Sequence, residues 1–128
     1  MDYYFSKELE YGFEEAIERT TEALKKEGFG IISDIDVSTT LKKKIDVDFR
    51  KYRILGACNP VLAHRALLQE KNLGIMLPCN VVVQETGGGG AEVAVTNPYV
   101  VFQGVQNEAL ESLAHHVAES MKKVLEEL

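Results

Sequence analysis

The chain has 128 residues, of which 45% are hydrophobic and 27% charged, a balance typical of globular rather than disordered or fibrous proteins. This length predicts a single domain, residues 1–128, whose core is large enough to be stable without disulfides or a structural metal. A formal charge of −6 disfavours nucleic-acid binding, because that affinity comes mainly from Lys and Arg side chains that neutralise phosphates.

Neither a signal peptide nor a membrane span is expected. Residues 1–10 are charged and lack an apolar segment, and the apolar run 73–83, interrupted by a proline and an asparagine, is shorter than the roughly 18 residues of a membrane span. We therefore expect a cytoplasmic protein that does not associate with membranes. In that compartment Cys58 and Cys79 are expected to be reduced thiols, and a reversible disulfide between them stays open.

The first part of the chain predicts a strand, a helix and a second strand. Apolar and polar residues alternate over residues 2–10, which is typical of a half-buried strand. Residues 12–27 have apolar residues at helical spacing and precede Gly28, which can adopt the left-handed conformation that ends a helix. Residues 29–37 alternate again, with one face formed by Phe29, Ile31, Ile35 and Val37.

A short helix, a third strand and a third helix are expected next. The run Ser38 to Thr40 is predicted to cap a helix over residues 41–45, and residues 49–57 show strand alternation. Asn59 and Pro60 then predict a helix start, because asparagine is a preferred N-cap and proline fits the first helical position. The residues that this helix would bury are Leu62, Ala63, Ala66 and Leu67.

The second half predicts a hairpin and the longest helix. Residues 74–85 and 92–96 would pair around a glycine-rich loop, with Pro78 marking an edge or a bulge because proline cannot donate to a ladder. Residues 99–104 are predicted as one more short strand, and Asn107 is predicted to cap a helix over residues 108–127. The expected fold class is α+β: a single mixed, mainly antiparallel sheet packed against helices, with a long C-terminal helix.

Cys58 is the first candidate for a functional side chain. It directly precedes the predicted helix, where the positive end of the dipole and free amides favour the thiolate that attacks electrophiles and binds metals. A plain buried position explains it too, since free cysteine is among the most buried residue types. We treat Cys58 as a hypothetical catalytic residue.

Cys79 is the second candidate, inside an apolar run where burial would raise the pKa of its thiol and leave it unreactive. Pro78 and Asn80 interrupt the run, and a polar side chain there needs a hydrogen-bond partner. Backbone across a bulge would satisfy Asn80. Alternatively, Asn59 and Asn80 line one polar pocket beside the two thiols.

Charged and phenolic side chains give a further set of candidates. Asp34 and Asp36 share a strand face roughly 7 Å apart, a spacing that suits a cation or acid–base chemistry. An exposed strand face explains both aspartates as well. Lys44 and Tyr52 would add a cation and a phenol to such a site.

The chain has no motif for a metal or for a phosphate. His115 and His116 are adjacent on a predicted helix, and no Cys-x-x-Cys or His-x-x-x-His spacing occurs, so any metal would need ligands from distant residues. The glycines at 87–90 lead into a strand rather than a helix, which indicates a hairpin loop. The metal and cofactor questions therefore stay open.

Three segments resemble a known family. They are FGIISDIDV at residues 29–37, YRILGACNP at residues 52–60 and GIMLPCNVVV at residues 74–83. Over nearly the whole chain they resemble the domain of unknown function 302 family, small proteins of bacteria and archaea. The resemblance implies an α+β domain with a sheet backed by helices, and a homodimer. Its motif positions, to which the family assigns no roles, are Asp36, Lys44, Tyr52, Cys58, Asn59, Pro60, Pro78, Cys79 and Asn80.

The leading hypothesis is a homodimer that binds a small ligand or ion in a pocket near Cys58 and Cys79. The ligand-binding candidates are Asp36, Lys44, Tyr52, Asn59 and Asn80. One alternative is a cysteine-dependent enzyme or redox protein that uses Cys58 as thiolate, with Cys79 resolving and Lys44 or His64 favouring the thiolate. The other is a structural or interaction module in which both thiols are core and the functional surface is the dimer interface.

Overall fold

A five-stranded antiparallel sheet organises the chain, which a computed structural model describes over residues 1–128. The strands are β1 Tyr4–Leu9, β2 Gly30–Asp36, β3 Tyr52–Cys58, β4 Cys79–Glu85 and β5 Ala91–Thr96. Their order across the sheet is β1-β5-β4-β3-β2. The α-helices are α1 Phe13–Lys26, α2 Val37–Ile45, α3 Pro60–Gln69, α4 Pro98–Val101 and α5 Glu111–Glu126. Short 3₁₀ turns cover Leu73–Met76, Phe102–Val105 and Glu108–Leu110.

The core lies between one face of the sheet and the helices α1 and α5. Alternate residues of β4 and β5 are fully buried there: Val81, Val83, Val93 and Val95. They belong to one cluster with Leu24 of α1 and Met121 of α5, both of them also fully buried. The predicted α+β fold, with helices packed on one sheet and a long C-terminal helix, is confirmed.

The opposite side of the sheet, which we call the open face, is left uncovered by α1 and α5. Because side chains alternate along a strand, this face carries Tyr4, Tyr52, Ile54, Val82 and Ala94. None of these five side chains is buried. A sheet face exposed to water is usually polar, so this apolar centre is a notable feature of the surface.

A bulge in β2 overturns the predicted face of Ile35. The ladder pairs Ile31 with Ala57 but Ser33 with Gly56, so Ile32 is an extra residue. Side-chain direction is therefore inverted beyond the bulge, and Ile35 lies on the open face, where it is 49% exposed. The prediction that Ile35 shares the face of Phe29 and Ile31 is wrong.

Helix α2 begins earlier than predicted, at Val37. The side chain of Asp36 accepts hydrogen bonds from the Thr39 backbone N–H at 3.0 Å and from the Ser38 hydroxyl at 2.9 Å. Asp36 is thus the N-cap, and the predicted cap over Ser38 to Thr40 is wrong because those residues form the first helical turn.

Two predictions for the second half also need correction. Leu73–Met76 forms a 3₁₀ turn, so β4 starts only at Cys79, and Pro78 lies directly before the central strand rather than at an edge or a bulge. Residues 99–104 are helical, because Asn97 and Pro98 start α4 with proline at its first position. The hairpin is confirmed, with the Thr86 N–H donating to the Gly90 carbonyl across the loop at 3.1 Å.

The C-terminal helix was predicted closely. Asn107 accepts a hydrogen bond from the Ala109 N–H at 3.0 Å, as an N-cap does, although the first turn is 3₁₀ before α5 begins. No helix combines the length and the apolar character needed to cross a membrane.

Candidate functional site

A pocket of about 310 Å³ lies where β3 and β4 meet the start of α3. We call it the cysteine pocket, because Cys58, Asn59 and Cys79 line it together. Hydrophobic residues make up 13 of its 16 lining residues. Contributions come from α3, from the turn before β4 and from the first half of α5.

The two thiols reach this pocket from neighbouring strands. Ala57 lies directly opposite Cys79 in the β3–β4 ladder, and Cys58 is the next residue and the last of β3. Within a regular strand Cys58 would point to the other face from Ala57. Cys58 is still paired with Gly30 of β2, and at this end of the strand, directly before α3, it lines the same pocket as Cys79. Both cysteines are free and partly buried.

The thiol of Cys79 is held in its neutral form. Burial raises its pKa to about 11, and the neighbouring Cys58 adds to the shift because two adjacent thiolates would repel each other. The expectation that burial would make Cys79 a poor nucleophile at neutral pH agrees with this pKa.

Asn59 fixes the start of α3 at the pocket wall. Its side-chain oxygen accepts a hydrogen bond from the Leu62 N–H at 3.2 Å, which is the predicted N-cap. Its amide nitrogen lies over Gly28, where a Cβ atom would come within 3.0 Å of it. Gly28 also has a φ of 87°, so both space and backbone conformation favour glycine beside Asn59.

Helix α3 packs less tightly than predicted. Among its expected core residues only Ala66 is buried, while Leu62 and Ala63 are partly buried at the pocket. Leu67 also lines the pocket but is 40% exposed, so it lies at the rim. The incomplete packing of α3 is what leaves the cavity.

Pro78 forms another wall of the pocket. It follows a cis peptide bond after Leu77 and lies against Gly56 of β3, where an added Cβ atom would come within 2.7 Å of the Pro78 Cγ and would also clash with the Ser33 hydroxyl. Gly56 thus leaves room for a side chain from each neighbouring strand segment.

Asn80 and Tyr52 do not reach the cysteine pocket. Because Asn80 follows Cys79 in a regular strand, it points to the open face, where it is exposed. There it lines a shallow groove of about 470 Å³ with Tyr52, Val82 and Glu92. The structure therefore separates Asn80 from Asn59, with the sheet between them.

Asp34 and Asp36 have structural partners. Arg53 forms a bidentate ion pair with Asp34, with 2.7 Å between its Nε and the carboxylate. The hydrogen bonds from Thr39 and Ser38 hold the pKa of Asp36 below its usual value of 3.8, because they stabilise the charged form of the cap. Lys44 is exposed at the end of α2, and neither Asp36 nor Lys44 lines the cysteine pocket.

The histidines are dispersed. His64 is exposed on α3 outside the pocket lining, and His115 stacks on Tyr99 with 4.0 Å between ring centroids. No group of three or more His, Cys, Asp or Glu side chains is placed to hold a metal ion.

Apart from the two cysteines, the apolar residues of the pocket were not identified from the sequence as site residues; among them are Ile32, Phe102, Leu113 and Val117. The apolar spacing of the last helix predicted that Leu113 and Val117 lie on its inner face, but not that this face would border a cavity. The position of Ile32 at the pocket depends on the β2 bulge, which the sequence pattern did not predict. Phe102 lies in a segment that was predicted as a strand but is helical.

A second cleft, of about 420 Å³, lies beside α4 and the start of α5. Its lining includes Gln103, Gln106, Asn107, Glu108 and Glu111, and it contains no cysteine. It is therefore a more polar depression, separate from the thiols.

Comparison with known proteins identifies the family. The chain resembles the crystal structure of an uncharacterized conserved protein, DUF302, from Bacillus stearothermophilus, with a TM-score of 0.91 and 29% sequence identity over 99% of this chain and 98% of that one. No curated protein matched the chain. The family described as "Domain of unknown function DUF302" matches residues 5–128. The chain therefore belongs to the DUF302 family.

Proposed function

We propose that the protein is a homodimer that binds a small, mainly apolar organic molecule in the cysteine pocket. The observation that carries this proposal is a cavity of about 310 Å³ in which 13 of 16 lining residues are hydrophobic. Ligand sites are typically cavities of about 300–1,000 Å³ with apolar walls and a few polar groups. Here Asn59 supplies an amide, and Cys58 and Cys79, which count among the 13 hydrophobic residues, add two weakly polar thiols.

The lining favours an apolar ligand over an ion. A dissolved ion would have to lose its water shell to apolar walls, which costs far more than two thiols and one amide can restore. A dry apolar cavity of about 150 Å³ can bind benzene, so a volume roughly twice as large suits a bicyclic ring or a short branched chain.

Indole provides a direct test, because the chain has no Trp and the indole emission can be followed without interfering tryptophan fluorescence. We expect saturable binding with a blue-shifted emission. Ala63→Leu places extra carbon atoms in the pocket and should weaken binding by at least about tenfold, equivalent to about 1.4 kcal/mol.

The matched control is His64→Leu, which makes a similar apolar change on the next, exposed residue of α3 outside the pocket lining. It should leave indole binding unchanged. Equal binding by wild type and by a folded Ala63→Leu variant, or no saturable binding at all, would overturn the proposal. Circular dichroism melts of both variants show whether they are folded.

The dimer part of the proposal is supported by a loosely packed segment, residues 37–49, which we call the arm. It contains α2, none of whose residues is buried. Val37, Leu41 and Ile45 follow at four-residue spacing and form an apolar stripe, of which Ile45 is 63% exposed. A second copy would supply the surface that this stripe lacks within its own chain.

Charge supports the open face of a second copy as that surface. Glu8 and Glu92 lie directly opposite each other in the β1–β5 ladder, point to the open face and make no salt bridge. Directly opposed like charges destabilise a sheet. Lys43 and Lys44 on the arm are also without a salt bridge and would neutralise this pair in a reciprocal, two-fold contact.

A further inference from the structure

We propose that Cys58 and Cys79 are a redox-active pair that a peroxide converts into an intramolecular disulfide at the end of the cysteine pocket. This proposal does not depend on a bound ligand, because it uses only the two thiols and their positions. The oxidant class is a hydroperoxide small enough to enter the pocket, with hydrogen peroxide as the probe.

The strand register places the two cysteines at bridging distance. Ala57 and Cys79 are directly paired, and Cys58 is one residue further along β3. Paired Cα atoms in an antiparallel ladder are about 4.5–5.5 Å apart, and a strand rises about 3.4 Å per residue. The Cα atoms of Cys58 and Cys79 are therefore separated by about 5.6–6.5 Å, within the range of about 4.4–6.8 Å that disulfides span.

The two cysteines also border one cavity. Diagonal neighbours in a regular ladder point to opposite faces and cannot be bridged. Cys58 is the last residue of β3, beside the turn into α3, and it lines the same cavity as Cys79. Both thiols are free and partly accessible, so an oxidant can reach them without unfolding the chain.

The two thiols have different roles. Cys79 is almost entirely protonated at pH 7, because burial raises its pKa to about 11. Cys58, which precedes the N-terminus of α3, is therefore the nucleophile that attacks first, and Cys79 is the resolving thiol.

The chemistry balances in two steps. The Cys58 thiolate attacks one peroxide oxygen, the O–O bond breaks, and the released hydroxide takes a proton to give water, leaving a sulfenic acid on Cys58. Cys79 then loses its proton as its sulfur attacks the Cys58 sulfur, and the sulfenic oxygen leaves as a second water. The chain loses two electrons and two protons, and the peroxide is reduced to two molecules of water.

Intact-mass spectrometry of the folded protein after brief exposure to hydrogen peroxide tests the proposal. Wild type should lose about 2 Da and both free thiols, and dithiothreitol should restore them. Cys79→Ser should instead gain about 16 Da and react with dimedone, since the sulfenic acid on Cys58 has no resolving partner. Cys58→Ser should react at least about tenfold more slowly than wild type, because Cys79 is mostly protonated.

Two results would overturn the proposal. One is loss of 2 Da only after denaturation, which would mean that the native fold keeps the sulfur atoms apart. The other is equal oxidation of the two single-cysteine variants, which would remove the assigned order of attack. Both outcomes are independent of indole binding, so failure here is distinguishable from failure of the ligand proposal.

Discussion

Asn59 is the single residue that links the fold to the pocket, because its side chain both caps α3 and lines the cavity. The cap could be predicted from the sequence, since asparagine followed by proline is a local signal. Its place beside two thiols could not, because that depends on the register between β3 and β4.

Replacing Asn59 by Ala should lower the free energy of unfolding by about 1 kcal/mol, because the Leu62 N–H loses its acceptor. Urea titration followed by circular dichroism measures this change. Asn72→Ala is the matched control, because Asn72 precedes the 3₁₀ turn Leu73–Met76 but makes no side-chain cap hydrogen bond. This substitution should lower the free energy of unfolding far less. Equal losses in the two variants would show that the Asn59 hydrogen bond contributes nothing measurable.

At the scale of elements, helices and strands were predicted well where hydrophobic periodicity is long and regular, as in α1, α5 and the β4–β5 hairpin. The predictions failed where a single tertiary feature determines the local backbone structure. The bulge at Ile32 inverts the end of β2, and the helical start at Pro98 replaces a predicted strand. The candidate site was predicted in part: Cys58, Asn59 and Cys79 share a pocket, whereas Asn80 lies beyond the sheet.

Helix α2 depends on its cap, and this dependence should vary with pH. The hydrogen bonds to Asp36 lower its pKa in the folded state, so their stabilising effect is complete well above pH 3.8 and is lost as the pH falls through the lowered folded pKa. Asp36→Ala should therefore increase hydrogen exchange of the α2 amides at pH 6.

The difference in exchange between Asp36→Ala and wild type should shrink as the pH is lowered below 3.8, once exchange is corrected for its intrinsic pH dependence. Asp36→Asn serves as the control, because its side-chain oxygen can still accept the Thr39 N–H but does not titrate, so its α2 exchange at pH 6 should stay near that of wild type. A difference that stays constant down to pH 2 would contradict the role of the charged carboxylate.

At the scale of the whole molecule, the arm and the open face should control the oligomeric state. Ile45→Asp places a charge on the exposed apolar stripe of α2 and should shift the protein from dimer to monomer in sedimentation equilibrium. Ile75→Asp is the matched control, because Ile75 is 87% exposed but lies in the turn before β4, away from the arm. It should leave the dimer intact.

Charge reversal tests the electrostatic part of the same proposed contact. Lys43→Glu with Lys44→Glu should weaken the dimer by adding repulsion against Glu8 and Glu92. Adding Glu8→Lys and Glu92→Lys to the same chain should restore it. A wild-type monomer at micromolar concentration, or a dimer indifferent to Ile45→Asp, would exclude the proposed contact.

The sheet order has a consequence for how the protein forms during synthesis. Of these five strands β1 is translated first, but it pairs only with β5, and Tyr4 lies opposite Thr96 in the ladder. β1 therefore cannot enter the sheet before β5 has been translated, and until then its Tyr4 and Phe5 side chains have no sheet to pack in. Translation that stalls before Ala91 would leave this aromatic strand free to associate with other nascent chains.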